Sequence, residues 1–242
     1  MRAFALTYPQ LMNQAVAAGF AEPDLVRIRD AHELAQGLVD GVYRKYGTPF
    51  LCHLIRTASI SMSETRSLEV VLAAVLHAVY FLNTFEASTR RGPRQADREL
   101  VRARIGSAAE ELVTLYGETD WHIDALEAHA ANAESQPPRM RKLLLLVLAN
   151  ELEDHLDAAE AYVGDEQVPS DRHASACLAL AEGLGHHALA SDLREAFDLC
   201  RNASVAPFLR TRREGSYEAT RLWRASPFER LGEALRRRRT TR

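Results

Sequence analysis

The chain has 242 residues, 47% of them hydrophobic and 26% charged, with a formal net charge of −3. That composition permits a sizeable core and excludes a globally disordered chain. Three scattered cysteines, Cys52, Cys177 and Cys200, exclude a disulfide framework or a zinc knuckle. The longest apolar stretch, Leu68 to Leu82, is interrupted by Glu69 and His77 and is too short to span a bilayer. The first residues, "MRAFALTYPQLMNQ", lack the continuous apolar segment of a signal peptide. A cytoplasmic protein is therefore expected.

In chain order, helical periodicity runs almost throughout and no alternating strand is found. "DAHELAQGLVDGVYRKYG" sets Leu34, Leu38, Val42 and Tyr46 four residues apart, which predicts one helix stopped at Gly47. "TPFLCHLIRTASISM" opens with Thr48 as N-cap and Pro49 in the first turn. Residues 68–82 are apolar on most sides and predict a central buried helix. The segment 86–97 reads as a loop around Gly92 and Pro93, after which "RELVRARIGSAAEELVTLYG" returns to helix. "AESQPPRM" breaks the chain again.

"RKLLLLVLANELEDHLDAAEAYVG" predicts a long helix with Leu145, Leu148, Leu152 and Leu156 on its apolar face. Asn150, Asp154 and Asp157 fall on one side of it at i, i+4 and i+7. A helical hairpin follows over "RHASACLALAEGLGHHALASDLREAFDLC". In "SPFERLGEALRRRR", Ser226 and Glu229 have capping-box spacing, which predicts a last amphipathic helix. The fold class is all-α, divided as a helical domain over 1–165 and a hairpin extension with a basic tail over 166–242.

Charge is distributed unevenly. From residue 201 onward there are 12 Arg against 4 Glu, so the first 200 residues are strongly acidic. Only Lys45 and Lys142 are lysines. Codon bias accounts for this most simply, although planar guanidinium groups also suit phosphate recognition. Arg90, Arg91, Arg94, Arg98, Arg102 and Arg104 make one dense stretch that suits closure over a phosphorylated ligand, or simply a charged loop and helix face. The Arg236–Arg239 run is weak support for a surface facing nucleic acid or an anionic membrane, and nucleic acid is not an expected partner.

His53 and His77 both fall on helix faces that become buried, 24 residues apart with a short turn between them. A helical hairpin brings such a pair together, as a metal site requires. A hydrogen-bonded core pair is the simpler reading.

In order, "AHELAQGLVDGVYRKYGTPFLCHLIRTASI", "VVLAAVLHAVY", "RARIGSAAEELV" and "KLLLLVLANEL" resemble HD-domain proteins. The nearest likeness is to the alarmone (ppGpp) hydrolase domain of RelA/SpoT-type enzymes, over roughly residues 25 to 160. That resemblance implies an HD-like helical bundle. It also implies a metal, usually manganese, at positions matched here by His53, His77, Ala78 and Asn150. Two of the four have lost the family's carboxylate: Ala78 and Asn150 stand where it has Asp. Phe81 and Leu82 stand where the resemblance places the acidic pair that positions water. Arg44 and Lys45 match the pair beside the guanine.

The losses are chemically directed. A dication about 4 Å from a carboxylate gains on the order of 8 kcal/mol at an effective dielectric near 20, before desolvation. Removing two such ligands removes tight binding of hard ions. Removing the acidic pair removes the general base. The expectation is a degenerate site with Arg44, Lys45, Arg90, Arg91 and Arg94 as ligand-binding candidates. His53, His77 and Asn150 are then vestigial or weak metal ligands. No cofactor is expected; if a metal is held, it is Mn, Fe or Zn. Expected partners are a phosphorylated or nucleotide-like small molecule, or a protein docked on the C-terminal hairpin. The alternative is a divergent metal-dependent HD-type phosphohydrolase.

Overall fold

A computed structural model describes residues 1–80, 95–163 and 169–210, together with the backbone of 217–218. The protein is all-α: among the described residues, strand pairing is confined to a two-residue antiparallel ladder and an isolated bridge between Tyr43 and Pro49. The helices in chain order are α1 (Tyr8–Ala17), α2 (Glu22–Val39), α3 (Phe50–Glu64), α4 (Leu68–Leu76), α5 (Gln95–Ile105), α6 (Ser107–Glu118), α7 (Ile123–Ala131), α8 (Pro138–His155), α9 (Asp171–Gly183) and α10 (His187–Asn202). No helix among the described residues is long and apolar enough to cross a membrane.

The sequence "LEVVLAAVL" puts apolar side chains on every side of α4, and the fold surrounds it. Val70 through Leu76 are all buried, with α2, α3, α6 and α8 packed around them. Burying each such Val or Leu is worth about 1.5–3 kcal/mol, so this helix is the centre of the core. The turn between α3 and α4 is only Thr65–Ser67, and α8 closes over both helices. The α9–α10 hairpin packs on α7 and α8, and its buried Cys177, Leu180, Leu193 and Phe197 join the same apolar cluster.

The helix predicted over 68–82 stops at Leu76, with residues 77–80 in turns, and two other predicted helices end early. The first stops at Val39, because Asp40 is extended and Gly41 takes a left-handed φ of 75° that favours glycine. Val42 and Tyr43 then form β1, paired with β2 (Tyr217–Glu218). The burial of Val42, which fits helical spacing in the sequence, is thus met by an extended strand. The start of α3 shifts by one residue, with Pro49 in the cap position.

The second break follows α8. Residues Leu156–Tyr162 are a 3-10 segment in which Asp157 and Ala158 take φ of 63° and 50°, unusual for residues with a Cβ. Leu156 stays buried, but Asp157 leaves the face of Asn150 and Asp154 and meets Arg56 at 2.7 Å. Between α5 and α6, Gly106 adopts φ of 82°, and a Cβ there would meet the Arg27 guanidinium at 2.9 Å. The predicted helix over 226–239 lies outside the described residues.

Candidate functional site

His53 sits on the second turn of α3 and His77 immediately after α4. The α3–α4 hairpin brings them together: their Nε2 atoms are 3.2 Å apart and each residue is only 1% exposed. Asn150 on α8 completes the group, with Oδ1 3.1 Å from His77 Nε2. The three residues matched to metal ligands therefore converge on one point.

The outward nitrogens are tied down. His77 Nδ1–H donates to the Ala74 carbonyl at 2.8 Å, which leaves His77 Nε2 as a bare lone pair in the neutral ring. His53 Nδ1 is in short contact with Glu153 of α8. Burial first, and then the positive charge of Arg44 for His53 or the neighbouring His53 for His77, holds both imidazoles neutral, with pKa values pushed down to about 3. Burial also pushes the Glu153 carboxyl up to about 7, against the opposing pull of Arg44 and Arg56.

Two proton arrangements fit this geometry. In one, protonated Glu153 donates to His53 Nδ1, His53 Nε2–H donates to His77 Nε2, and His77 Nδ1–H donates to Ala74. Every ring nitrogen is then satisfied without a metal. In the other, His53 Nδ1–H donates to ionised Glu153, and two Nε2 lone pairs and the Asn150 carbonyl face one another. That arrangement leaves acceptors that a cation or a hydrogen-donating water between them would satisfy. Two imidazole nitrogens on a tetrahedral zinc stand about 3.3 Å apart, close to the distance here. Carboxylate and backbone-carbonyl partners on the far ring nitrogens are also usual for metal-bound histidine.

The donor set discriminates between ions. Two neutral imidazoles and one amide oxygen suit Zn²⁺ or Fe²⁺, whereas Mn²⁺ and Mg²⁺ need anionic oxygen. Manganese therefore does not fit these residues. Ala78, 7% exposed beside His77, offers no ligand. The nearby carboxylates of α8 reach His53 on its Nδ1 side: Glu153 by its short contact and Asp154 at 3.9 Å. Asp154 also accepts from Asn150 Nδ2 at 3.0 Å. Tyr116 of α6 meets His77 edge-on with ring centroids 4.9 Å apart; burial raises its phenol pKa.

The structure places Arg44 on Asp154 in a short ion pair, its guanidinium lying over the Tyr46 and Phe50 rings at 5.4 and 5.7 Å. Burial opposes its charge, but Asp154 and Glu153 outweigh that and raise its pKa. Lys45 pairs with Glu160 at 2.5 Å. Both cations are thus already matched to carboxylates, and of the two it is Arg44 that lies beside His53, 3.5 Å from its Nδ1. Phe81, Leu82, Arg90, Arg91 and Arg94 lie outside the described residues. His122 is exposed beside Asp120 at 3.2 Å. His129 packs on Trp121, which packs on Tyr116.

Sequence reasoning did not single out Glu153 as the partner of His53. The signal was the spacing: Glu153 follows Asn150 by three residues, one turn along the same helix. A second group that it missed is Glu151, His173 and Cys177, whose potential ligand atoms lie within 4.8 Å of one another.

Fold and site together define an all-α protein built around a buried histidine pair held by three helices. The family model described as "Domain of unknown function (DUF6817)" matches residues 35–121, a stretch that includes His53 and His77 but ends before α8. No curated protein is similar enough to this sequence to count as a match.

Proposed function

We propose that this chain is a catalytically degenerate HD-domain-like protein that works by binding, as a regulatory protein, rather than by alarmone hydrolysis. The observation that carries this reading is the donor set at the histidine pair. Ala78 stands beside His77 where a ligand carboxylate is needed, Asn150 contributes a neutral oxygen, and Glu153 approaches the far side of His53. A hydrolase of this type needs an anionic cradle for its ion and a base for water. Neither requirement is met by His53, His77 and Asn150.

The ligand class that suits the site is a nucleotide-like or phosphorylated small molecule. Its phosphate would compete with Asp154 for Arg44 and with Glu160 for Lys45, exchanging internal ion pairs for an external one. The C-terminal hairpin is the proposed surface for a protein partner.

A divergent HD-type phosphohydrolase is the second reading, favoured by the three lone-pair atoms converging at 3.1–3.2 Å. One experiment separates the two. Purified protein is assayed for hydrolysis of ppGpp with added Mn²⁺, Fe²⁺ or Zn²⁺, and for binding of the same nucleotide by calorimetry, with His77→Ala as control. Binding without turnover supports the regulatory reading. Metal-dependent turnover lost in His77→Ala overturns it.

A further inference from the structure

On the opposite side of α8 from the histidine pair, Glu151 reaches toward α9. There His173 and Cys177, four residues apart, occupy one helical face. His173 Nε2 is 2.8 Å from Glu151 Oε2 and 3.6 Å from Cys177 Sγ. All three potential ligand atoms lie within 4.8 Å of one another.

We propose that Glu151, His173 and Cys177 form a zinc site that fastens the α9–α10 hairpin to α8. A sulfur at about 2.3 Å and a nitrogen at about 2.05 Å from a tetrahedral ion lie about 3.6 Å apart, the separation that His173 and Cys177 already have. The Glu151 oxygen needs to move out by only about 0.5 Å to reach the nitrogen–oxygen edge of about 3.3 Å, within reach of a side-chain rotation. Thiolate, imidazole and carboxylate in one set select a borderline ion over Mg²⁺, Ca²⁺ or Mn²⁺.

Access and containment also fit. Cys177 is fully buried, while the His173 and Glu151 side chains remain 25% and 20% exposed. The ion therefore enters from the His173–Glu151 side, and water takes the fourth position there. His155 supports the site from behind: its Nδ1–H donates to the Glu151 carbonyl at 2.7 Å, and its ring lies 6.5 Å from that of His173. Phe197 of α10 packs edge-on against both rings, giving the apolar wall that keeps such a site dry on one side.

Without the ion the group holds as a hydrogen-bonded pair beside a thiol. The Glu151 bond raises the His173 pKa, and burial keeps Cys177 protonated. Zinc displaces the thiol proton and turns a side-chain contact into a cross-link between two helices.

This site is independent of the histidine pair, and its test is chosen to show that. Co²⁺ is titrated into metal-free full-length protein and followed by absorption. Thiolate ligation gives a near-ultraviolet sulfur-to-cobalt charge-transfer band, which a site made of His53, His77 and Asn150 cannot give. The band is expected at one equivalent, retained in His77→Ala and in the Cys52→Ser/Cys200→Ser pair, and lost in Cys177→Ser. Zinc is expected to displace the cobalt and raise the melting temperature of the unmutated chain, but not that of Cys177→Ser. Absence of the band in the unmutated protein overturns the proposal even if a variant fails to fold. So does a band that survives Cys177→Ser, or one that disappears in His77→Ala while that variant remains folded.

Discussion

Glu153→Gln distinguishes the two proton arrangements of the histidine pair. In the folded chain burial raises the Glu153 pKa from its ordinary value near 4.5 to about 7. The folded state therefore holds a proton across that window which the unfolded chain releases. The stabilisation is full below pH about 4.5 and is lost as pH rises through about 7. The full shift corresponds to about 3 kcal/mol, an upper figure because Arg56 lies 3.7 Å from the same carboxyl. Gln keeps a neutral donor for His53 Nδ1 at every pH. The variant is expected to match the parent near pH 5 and to exceed it by 1–3 kcal/mol, on the order of that shift, at pH 8. Urea unfolding followed by circular dichroism, with chelator present throughout, measures this directly. A variant less stable than the parent at pH 8 by about 1 kcal/mol or more would refute the reasoning, since Glu153 would then be an ionised acceptor for His53 N–H.

The other predictions concern the rest of the core and the donors around the histidine pair. Glu110 is fully buried and accepts from Arg98 at 2.8 Å, Arg102 at 2.9 Å and Thr114 at 2.7 Å. Burial works against its charge, but these bonds hold its pKa down to about 2. Its stabilisation is present above pH about 4.5 and lost as pH falls toward 2, so Glu110→Gln should cost up to about 3 kcal/mol at pH 7. The mutant's stability should also change less than the parent's on acidification, and an unchanged acid limb would count against this account. Leu72→Ala, at the centre of α4, should cost about 3–5 kcal/mol through its cavity; a loss under 1 kcal/mol by urea melts would deny α4 its central place. Introducing two carboxylates, as Ala78→Asp with Asn150→Asp, should lower the melting temperature without metal and recover it with Mn²⁺. No manganese-dependent recovery would mean that the pair's geometry, rather than its donors, excludes the ion.

Much of the fold was legible because burial and periodicity agree where packing is dense. The apolar run of α4 and the leucine face of α8 lie where their patterns place them. Reading failed where the backbone departs from a helix. Val42 satisfies helical spacing and strand pairing equally well; the turn at Asp40 and Gly41 ends the helix before it, and the pairing with residues 217–218 takes it up as a strand. Leu156 fits the helix of Leu148 and Leu152, yet the chain turns at Asp157 and carries that side chain to Arg56. At the site, the meeting of His53 and His77 was legible in the short turn between their helices, whereas Asn150 was matched to them through the resemblance to HD-domain proteins. The ion pairs of Arg44 and Lys45 were not legible, because they depend on how far α8 and its 3-10 extension bring Asp154 and Glu160 toward the loop after β1.

The polar end of α8 explains why one helix takes part in two chemistries. In "ANELEDH", successive residues turn by about 100°, so Asn150, Glu153 and Asp154 face α3 while Glu151 and His155 face α9 and α10. On the first face Asn150 offers an amide oxygen to His77, so the His53–His77 pair meets a neutral donor there. On the second face, Glu151 meets His173 and a thiol instead. Substitutions on the two faces should therefore separate: Asn150→Asp should alter what the histidine pair binds, and Glu151→Gln should alter how firmly the α9–α10 hairpin holds to α8. Thermal melts in chelator and in zinc, run on the two variants side by side, test that separation. If Glu151→Gln changed metal binding at the histidine pair as much as Asn150→Asp does, α8 would have to be treated as a single site.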